Sequence, residues 1–316
     1  MIEGQAPIGS GFGARTTAAE VLAGRDLSGK LAIVTGGYSG LGLATTLALA
    51  GAGARVVVPA LRPEMARQAL SGIPNIEIDR LDLADLDSVR SFAERFLNSG
   101  RHADIVIASA GIMACPQTRI GPGWEAQLAV NHLGHFALVN RLWPALEKGA
   151  RIVMVSSGAH RITGMRWDDP HFVSGYDKWQ AYGQSKTANA LFALQLDRFG
   201  RQTGVRAFSL HPGSILTPLQ RHLPRQEMVA AGWIDERGEL TDASFKTIEQ
   251  GAATQIWAAT SPQLDGRGGL YCMDCDVAPL ADDASKPGVR PHAIDPAEAA
   301  RLWTLSAELT GVDVFG

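Results

Sequence analysis

Cysteine is scarce: only Cys115, Cys272 and Cys275 occur in 316 residues. An odd count without a spaced framework argues against a disulfide scaffold and for free thiols in a reducing compartment. Cys272-Met273-Asp274-Cys275 has redox or half-zinc spacing, but no second cysteine pair completes a four-cysteine zinc site, so no metal is expected. Charge is also sparse, at 19% of residues and a formal net charge of −3. That leaves no basic footprint for nucleic acid and no polybasic patch for a membrane surface. Long hydrophobic runs are missing too. The longest lies within Leu41–Val58, where Gly, Thr and Arg55 interrupt it too often for a membrane span. Residues 1–30 lack a basic start followed by an apolar block, so no secretory signal and a cytoplasmic location are expected. The 46% of hydrophobic residues nevertheless suffices for a sizeable core.

What is present begins with Leu31-Ala32-Ile33-Val34, a buried-strand pattern that runs into Thr35-Gly36-Gly37-Tyr38-Ser39-Gly40-Leu41-Gly42 and then an apolar helical stretch. Strand, glycine turn and helix in that order open a dinucleotide-binding unit. The glycines let the backbone approach a pyrophosphate, and the helix start favours its charge. Gly36, Gly40 and Gly42, with Tyr38, Ser39 and Leu41 between them, are the candidate phosphate cradle. The next strand, Arg55-Val56-Val57-Val58, ends in Pro59-Ala60-Leu61-Arg62, without the acid that holds the ribose hydroxyls of NAD. Arg62 suits a 2′-phosphate, so NADP is favoured over NAD.

Strands and helices keep alternating. Ile76–Ile78 leads to Leu81-Asp82-Leu83, Asp104–Ala108 ends in Ser109-Ala110-Gly111, and Arg151–Val155 ends in Ser156-Ser157. Val205–Leu210 is followed by His211-Pro212-Gly213, and a last strand is expected near Gly269–Cys272. Trp124–Leu146, with Asn131, reads as one long helix. The rhythm predicts an α/β, single-domain doubly wound Rossmann fold with a seven-stranded parallel sheet and helices on both faces. Residues 1–29 read as a loose arm with a short helix, and 30–316 as the domain. Within it 214–247, rich in turn formers and apolar residues, reads as a lid insertion that orders on closing.

Tyr182-Gly183-Gln184-Ser185-Lys186 is the candidate catalytic stretch. Residues four apart share a helix face, so a lysine ammonium beside the Tyr182 phenol is expected to lower its pKa and fit it for proton transfer. Ser157, at a strand end, can hydrogen-bond the same substrate oxygen. Asn131 can organise a water linking Lys186 to solvent. The loop between Ser157 and Tyr182 holds His160, Met165, Trp167 and Trp179, which read equally as a substrate wall or as packing.

Together these motifs resemble the short-chain dehydrogenase/reductase family. Thr35–Gly42, Ser109-Ala-Gly111, Asn131-His-Leu-Gly-His135, Ser157, Tyr182-x-x-x-Lys186 and Pro212-Gly213 carry the resemblance along nearly the whole chain. The lead-in Thr16–Lys30, Ser156-Ser-Gly-Ala-His160 and the tail Leu302–Gly311 resemble its retinol-dehydrogenase-like branch, to which the WW-domain-oxidoreductase-like group belongs. The resemblance implies Tyr182 as acid/base, Lys186 as its partner and ribose ligand, Ser157 as substrate-oxygen ligand and Asn131 as relay. It also implies Asp82 at the adenine, with Leu83 beside it, and Ser109, Ala110, Gly111, Pro212, Gly213 and Thr217 along the cofactor, Thr217 at the carboxamide. Ser109 departs from the family's usual Asn, and Leu61 stands where close relatives often have Arg. The expected activity is hydride transfer between NADP or NAD and an apolar secondary alcohol/ketone or aldehyde. Sugar-nucleotide epimerisation, carbon–carbon double-bond reduction and a non-catalytic dinucleotide sensor are the alternatives. A small-molecule substrate and a homodimer or homotetramer are the expected partners.

Overall fold

The computed structural model describes residues 4–283 and 285–316. The described residues form ten strands: β1 Leu31–Thr35, β2 Arg55–Ala60, β3 Ile76–Arg80, β4 Ala103–Ala108, β5 Arg119–Ile120, β6 Trp124–Glu125, β7 Leu146–Val155, β8 Arg206–His211, β9 Leu270–Met273 and β10 Asp276–Val277. Ten α-helices accompany them: α1 Ala18–Val21, α2 Gly40–Gly51, α3 Pro63–Ala69, α4 Leu86–Asn98, α5 Ala126–Leu128, α6 Gly134–Leu142, α7 Lys178–Gly200, α8 Arg225–Ala230, α9 Ile248–Thr260 and α10 Pro296–Thr310.

The main sheet runs β10-β9-β8-β7-β4-β1-β2-β3. Seven strands are parallel, as the βα rhythm requires. The eighth, β10, is antiparallel to β9 and was not foreseen. Asp274 and Cys275 form the turn between them with φ of 52° and 60°, the left-handed pair that lets a two-residue hairpin follow the strand twist. The CxxC spacing is therefore hairpin geometry. Both thiols are buried, and burial pushes them above their usual range, to about 11 for Cys275.

Strand alternation splits the core. Ala32, Val34, Val56, Val58, Ile105 and Ile107 face α2 and α9, while Leu31, Ile33, Val57 and Val106 face α4, α6 and α7. β1, β2 and β3 succeed one another in one direction, β4, β7, β8 and β9 in the other. The sheet thus reverses between β1 and β4, where the strand ends leave a crevice.

Two further expectations are corrected. The arm is pinned over the sheet edge. Gln5 Nε2 donates to the carbonyls of Tyr271 and Ala278 at 2.9 and 2.7 Å, and the Asp276 carboxylate accepts from the amides of Ile8, Gly9 and Ser10. These bonds occupy the β9–β10 edge that would otherwise present unpaired backbone groups. Trp124–Leu146 is not one helix. It begins in the β5–β6 hairpin, continues as α5, passes through a π-helical turn at Ala129–Leu133 and resumes as α6. Pro144 ends it, and β7 starts at Leu146.

Candidate active site

A cleft of about 1110 Å³ lies over the carboxyl ends of the parallel strands. At the β1 end the backbone is so tight that a β-carbon on Gly42 would sit 2.3 Å from the Gly36 carbonyl oxygen, and one on Gly36 2.9 Å from Ala110 Cα. Only glycine fits either place. Ser39, the residue before α2, sends no side-chain oxygen over the first-turn amides. The N–H groups of that turn thus stay open to an anion in the cleft. This cradle fits a dinucleotide pyrophosphate.

Behind the cradle, Thr35 Oγ1 accepts the amides of Ser109 and Ala110, both at 3.0 Å. Its own hydrogen goes to His135 Nε2 at 2.9 Å, so His135 carries its proton on Nδ1 and donates it to the Asn131 carbonyl at 3.0 Å. Burial holds His135 neutral, near a pKa of 4. The support that Ser109 lacks as a side chain is supplied to its backbone by Thr35.

Further along, Asp82 lines the cleft beyond β3, with one carboxylate oxygen accepting Ala84 N–H. Arg62 lies just before α3 with its guanidinium beside Met65 Sδ and, among the described residues, no carboxylate within 4 Å. Tyr38, Leu41, Leu83, Gly111, Pro212, Gly213 and Thr217 line the same cleft.

Tyr182 and Lys186 come from α7, which Asp177 caps by accepting the Trp179 and Gln180 amides. The helix is buried on nearly every side, and the two side chains are 4% and 5% exposed. Lys186 Nζ donates to the Val155 carbonyl at 3.0 Å and sits 5.6 Å from the Tyr182 ring centre. Ser157 begins a 3-10 turn, its Oγ accepting Ala159 N–H. Ser156 serves the scaffold, tying β7 to α7 through the Lys186 carbonyl.

The expected lowering of the Tyr182 pKa is not what this cleft shows. Burial pushes the phenol up to about 12, opposed only by the Ser157 hydroxyl, and burial brings Lys186 down to about 8. Desolvation outweighs the ammonium because the phenolate has lost its water. Asn131 lies near Lys186, both within 4 Å of the point where a β-carbon of Gly111 would stand. It is fully buried behind the cleft, its side chain bonded to both backbone groups of Ile112 and to Ser185 Oγ.

Of the four loop residues, only Trp179 lines the cleft. Met165 packs against α7, Trp167 reaches Glu298, and His160 is buried. Trp179 stacks edge-on between Tyr182 and Trp233. Sequence reasoning assigned no role to Met113, Arg161, His211 or Arg290, which also line the substrate side. Only the strand-end position of His211 signalled it. The 214–247 segment covers that side. Lys246 N–H closes its base on the Ser214 carbonyl at 2.8 Å, and Glu227 bonds Lys178 Nζ and Trp179 Nε1 at 2.5 and 3.0 Å.

Residues 30–228 match the family described as short chain dehydrogenase. A probable oxidoreductase of Streptomyces lividans is 45% identical over 295 residues, covering 90% of this chain and 98% of that protein. Retinol dehydrogenase 14 of Homo sapiens is 35% identical, covering 90% and 88%. A crystal structure of an uncharacterized protein from Mycobacterium Paratuberculosis superposes with a TM-score of 0.74 at 31% identity, covering 95% and 99%. With the glycine cradle, the tyrosine–lysine pair and the serine at one cleft, the chain belongs to the short-chain dehydrogenase/reductase family, in its retinol-dehydrogenase-like branch.

Proposed function

We propose that this oxidoreductase uses NADP in preference to NAD and acts on a secondary alcohol/ketone or an aldehyde attached to an apolar body. The observation that carries the reading is the meeting of Ser157, Tyr182 and Lys186 at one end of a cleft whose other end is an open helix-start cradle. The dinucleotide, when bound, supplies or takes the hydride. Gly36, Gly40 and Gly42 would hold its pyrophosphate, Asp82 would meet the adenine end, and Arg62 a 2′-phosphate.

The chain's own residues handle the oxygen. Ser157 Oγ and the Tyr182 hydroxyl hold the carbonyl oxygen. With its pKa near 12, Tyr182 keeps its proton at neutral pH and is a donor in the reducing direction. As the carbonyl carbon gains hydride, the oxygen gains the tyrosine proton, and the tyrosinate is later reprotonated from solvent. Lys186, 5.6 Å from the ring centre, offsets the phenolate charge while it lasts. Trp179, Trp233 and Met113 give the substrate side an apolar wall, which favours an apolar carbonyl over a sugar nucleotide.

The test is a panel of aromatic and aliphatic ketones and aldehydes with NADPH and NADH, read by loss of the reduced cofactor's absorbance. Turnover favouring NADPH is expected. Tight NADPH binding with no turnover of any carbonyl would instead leave a non-catalytic sensor.

A further inference from the structure

Two arginines line the far end of the cleft with no carboxylate within 4 Å among the described residues. Among the described residues the cleft is lined by one carboxylate, Asp82, and that lies at the proposed adenine end beyond β3. The opposite end holds Arg161, Arg290 and His211. Arg161 belongs to the 3-10 turn begun by Ser157. It is exposed, and its Nε donates to the Gly158 carbonyl at 3.0 Å, which holds one edge of the guanidinium. Its two terminal nitrogens have no hydrogen-bond acceptor, and no carboxylate lies within 4 Å, among the described residues. Arg290 is 6% exposed and is held by the carbonyls of Ala281 and Lys286, again with no carboxylate at ion-pair distance among the described residues.

His211 adds a neutral donor. Its Nδ1 accepts Gly158 N–H at 2.9 Å, so the ring proton resides on Nε2. Burial, with Arg161 and Lys246 nearby, holds it near a pKa of 3, far from protonation. Both donors close on the open side of Gly158, the residue after Ser157. The point where a β-carbon of Gly158 would lie is 3.0 Å from Arg161 Nη2 and 3.2 Å from His211 Nε2. That space is taken up by the two side chains themselves, so the absence of a β-carbon lets a guanidinium edge and a ring N–H stand side by side at the turn after Ser157.

Cofactor phosphates do not account for these cations. The phosphate cradle is on β1 and α2 and the 2′-phosphate position on β2, whereas Arg161 follows β7 and Arg290 comes from the C-terminal segment. A guanidinium presents parallel N–H groups that match a carboxylate, and the exposed Arg161 offers its terminal N–H groups to the cleft with no protein acceptor among the described residues.

We propose that the substrate is an oxo acid or hydroxy acid: an apolar body whose carboxylate, a few bonds from the reacting carbon, is taken by Arg161 with His211 beside it. The inference rests on the carbonyl-reductase reading above. Adjacent Cα atoms are about 3.8 Å apart, so a carboxylate at Gly158 and a carbonyl oxygen at Ser157 belong to one compact end of the molecule, while the apolar remainder lies against Trp179 and Trp233.

The test uses two matched pairs, benzoylformate and 3-formylbenzoate with their methyl esters. Each is assayed with NADPH for kcat/KM and titrated calorimetrically into the NADP-bound protein. Wild-type protein is expected to favour at least one acid over its ester by ten- to a hundredfold, the range of a charge-assisted hydrogen bond. Arg161→Gln is expected to lower that acid-to-ester ratio at least tenfold, and Arg161→Lys to keep part of it. Esters turned over as well as or better than both acids, or an unchanged ratio in Arg161→Gln, would overturn the anion site while leaving the reductase reading intact. If no compound is turned over, the reductase reading fails and binding decides this inference. Tighter acid binding that Arg161→Gln abolishes supports it, and acids that bind no better than their esters, or not at all, overturn it.

Discussion

Replacing Thr35 by valine keeps the shape of a fully enclosed side chain and removes one oxygen. That oxygen accepts the amides of Ser109 and Ala110 and donates to His135 Nε2, at 3.0, 3.0 and 2.9 Å. A buried polar group left without its partner costs about 1–3 kcal/mol. The Ser109 amide keeps the Ile107 carbonyl at 3.1 Å as a second acceptor, and the Ala110 amide borders the cleft, where water can reach it, and belongs at the low end of that range. His135 is wholly buried and belongs at the high end. Thr35→Val should therefore destabilise by about 3–5 kcal/mol. Thr35→Ser keeps the oxygen and loses one buried methyl, worth about 1 kcal/mol. Urea unfolding midpoints of the three proteins, taken at matched equilibration, would give the order wild type, Ser, Val, with the larger gap before Val. A second readout follows from the tautomer: the His135 Nε2 nitrogen should shift in the NMR spectrum only in the valine protein, where it loses its donor. Valine within about 1 kcal/mol of wild type, or serine below valine, would refute the hydroxyl's bridging role.

Three other outcomes are expected. Tyr182→Phe removes the transferable proton and should cut turnover by ~100-fold or more with little change in cofactor affinity; near-normal turnover would mean another donor. Arg62→Ala should weaken NADPH by about ten- to a hundredfold and leave NADH nearly unchanged in calorimetric titrations, whereas equal small effects on both would reduce Arg62 to a surface residue. Peptides from 214–247 should exchange amide hydrogens quickly in the free protein and slow when cofactor and a substrate-like alcohol bind together, and Glu227→Gln, by loosening the bonds to Lys178 and Trp179, should speed the free exchange further. Full protection of that segment before any ligand is added would exclude a moving lid.

The cofactor half of the cleft could be read from sequence because a parallel sheet does the assembling. Gly36, Asp82, Ser109, Ser157 and Pro212 each follow a strand, and successive parallel strands deliver their carboxyl ends to one edge whatever the helices between them do. The buried Leu31–Thr35 pattern and the glycines after it are local signals, as is the four-residue step from Tyr182 to Lys186. What local pattern missed was set by tertiary bonds. The Trp124–Leu146 stretch has helical composition throughout, yet it bulges at Asn131, whose amide meets both backbone groups of Ile112 and Ser185 Oγ. Likewise Asp274 and Cys275 carry no hairpin signature, and adopt left-handed backbone because β9 has a partner to fold onto.

The substrate half was illegible for a different reason: its residues meet through loops whose paths are fixed by single side chains. His160 shows how. Its Nε2 accepts the Arg290 amide and its Nδ1 donates to the Ser157 carbonyl, which Tyr271 Oη also reaches at 3.1 Å. One buried neutral imidazole, held near a pKa of 3 by burial, thereby joins the Ser157 turn after β7 to a segment 130 residues later in the chain. That bond to the Arg290 backbone, with the Ala281 and Lys286 carbonyls on its guanidinium, brings Arg290 to the cleft, and no spacing in the sequence relates it to Arg161. The same turn sets Gly158 against His211 from β8. Chemistry common to a family can be carried by motifs at strand ends, because the sheet positions them. Under the proposed activity the choice of substrate falls to contacts of this second kind, in which a change of one loop residue moves a charge into or out of the cleft while the residues at the strand ends stay where they are.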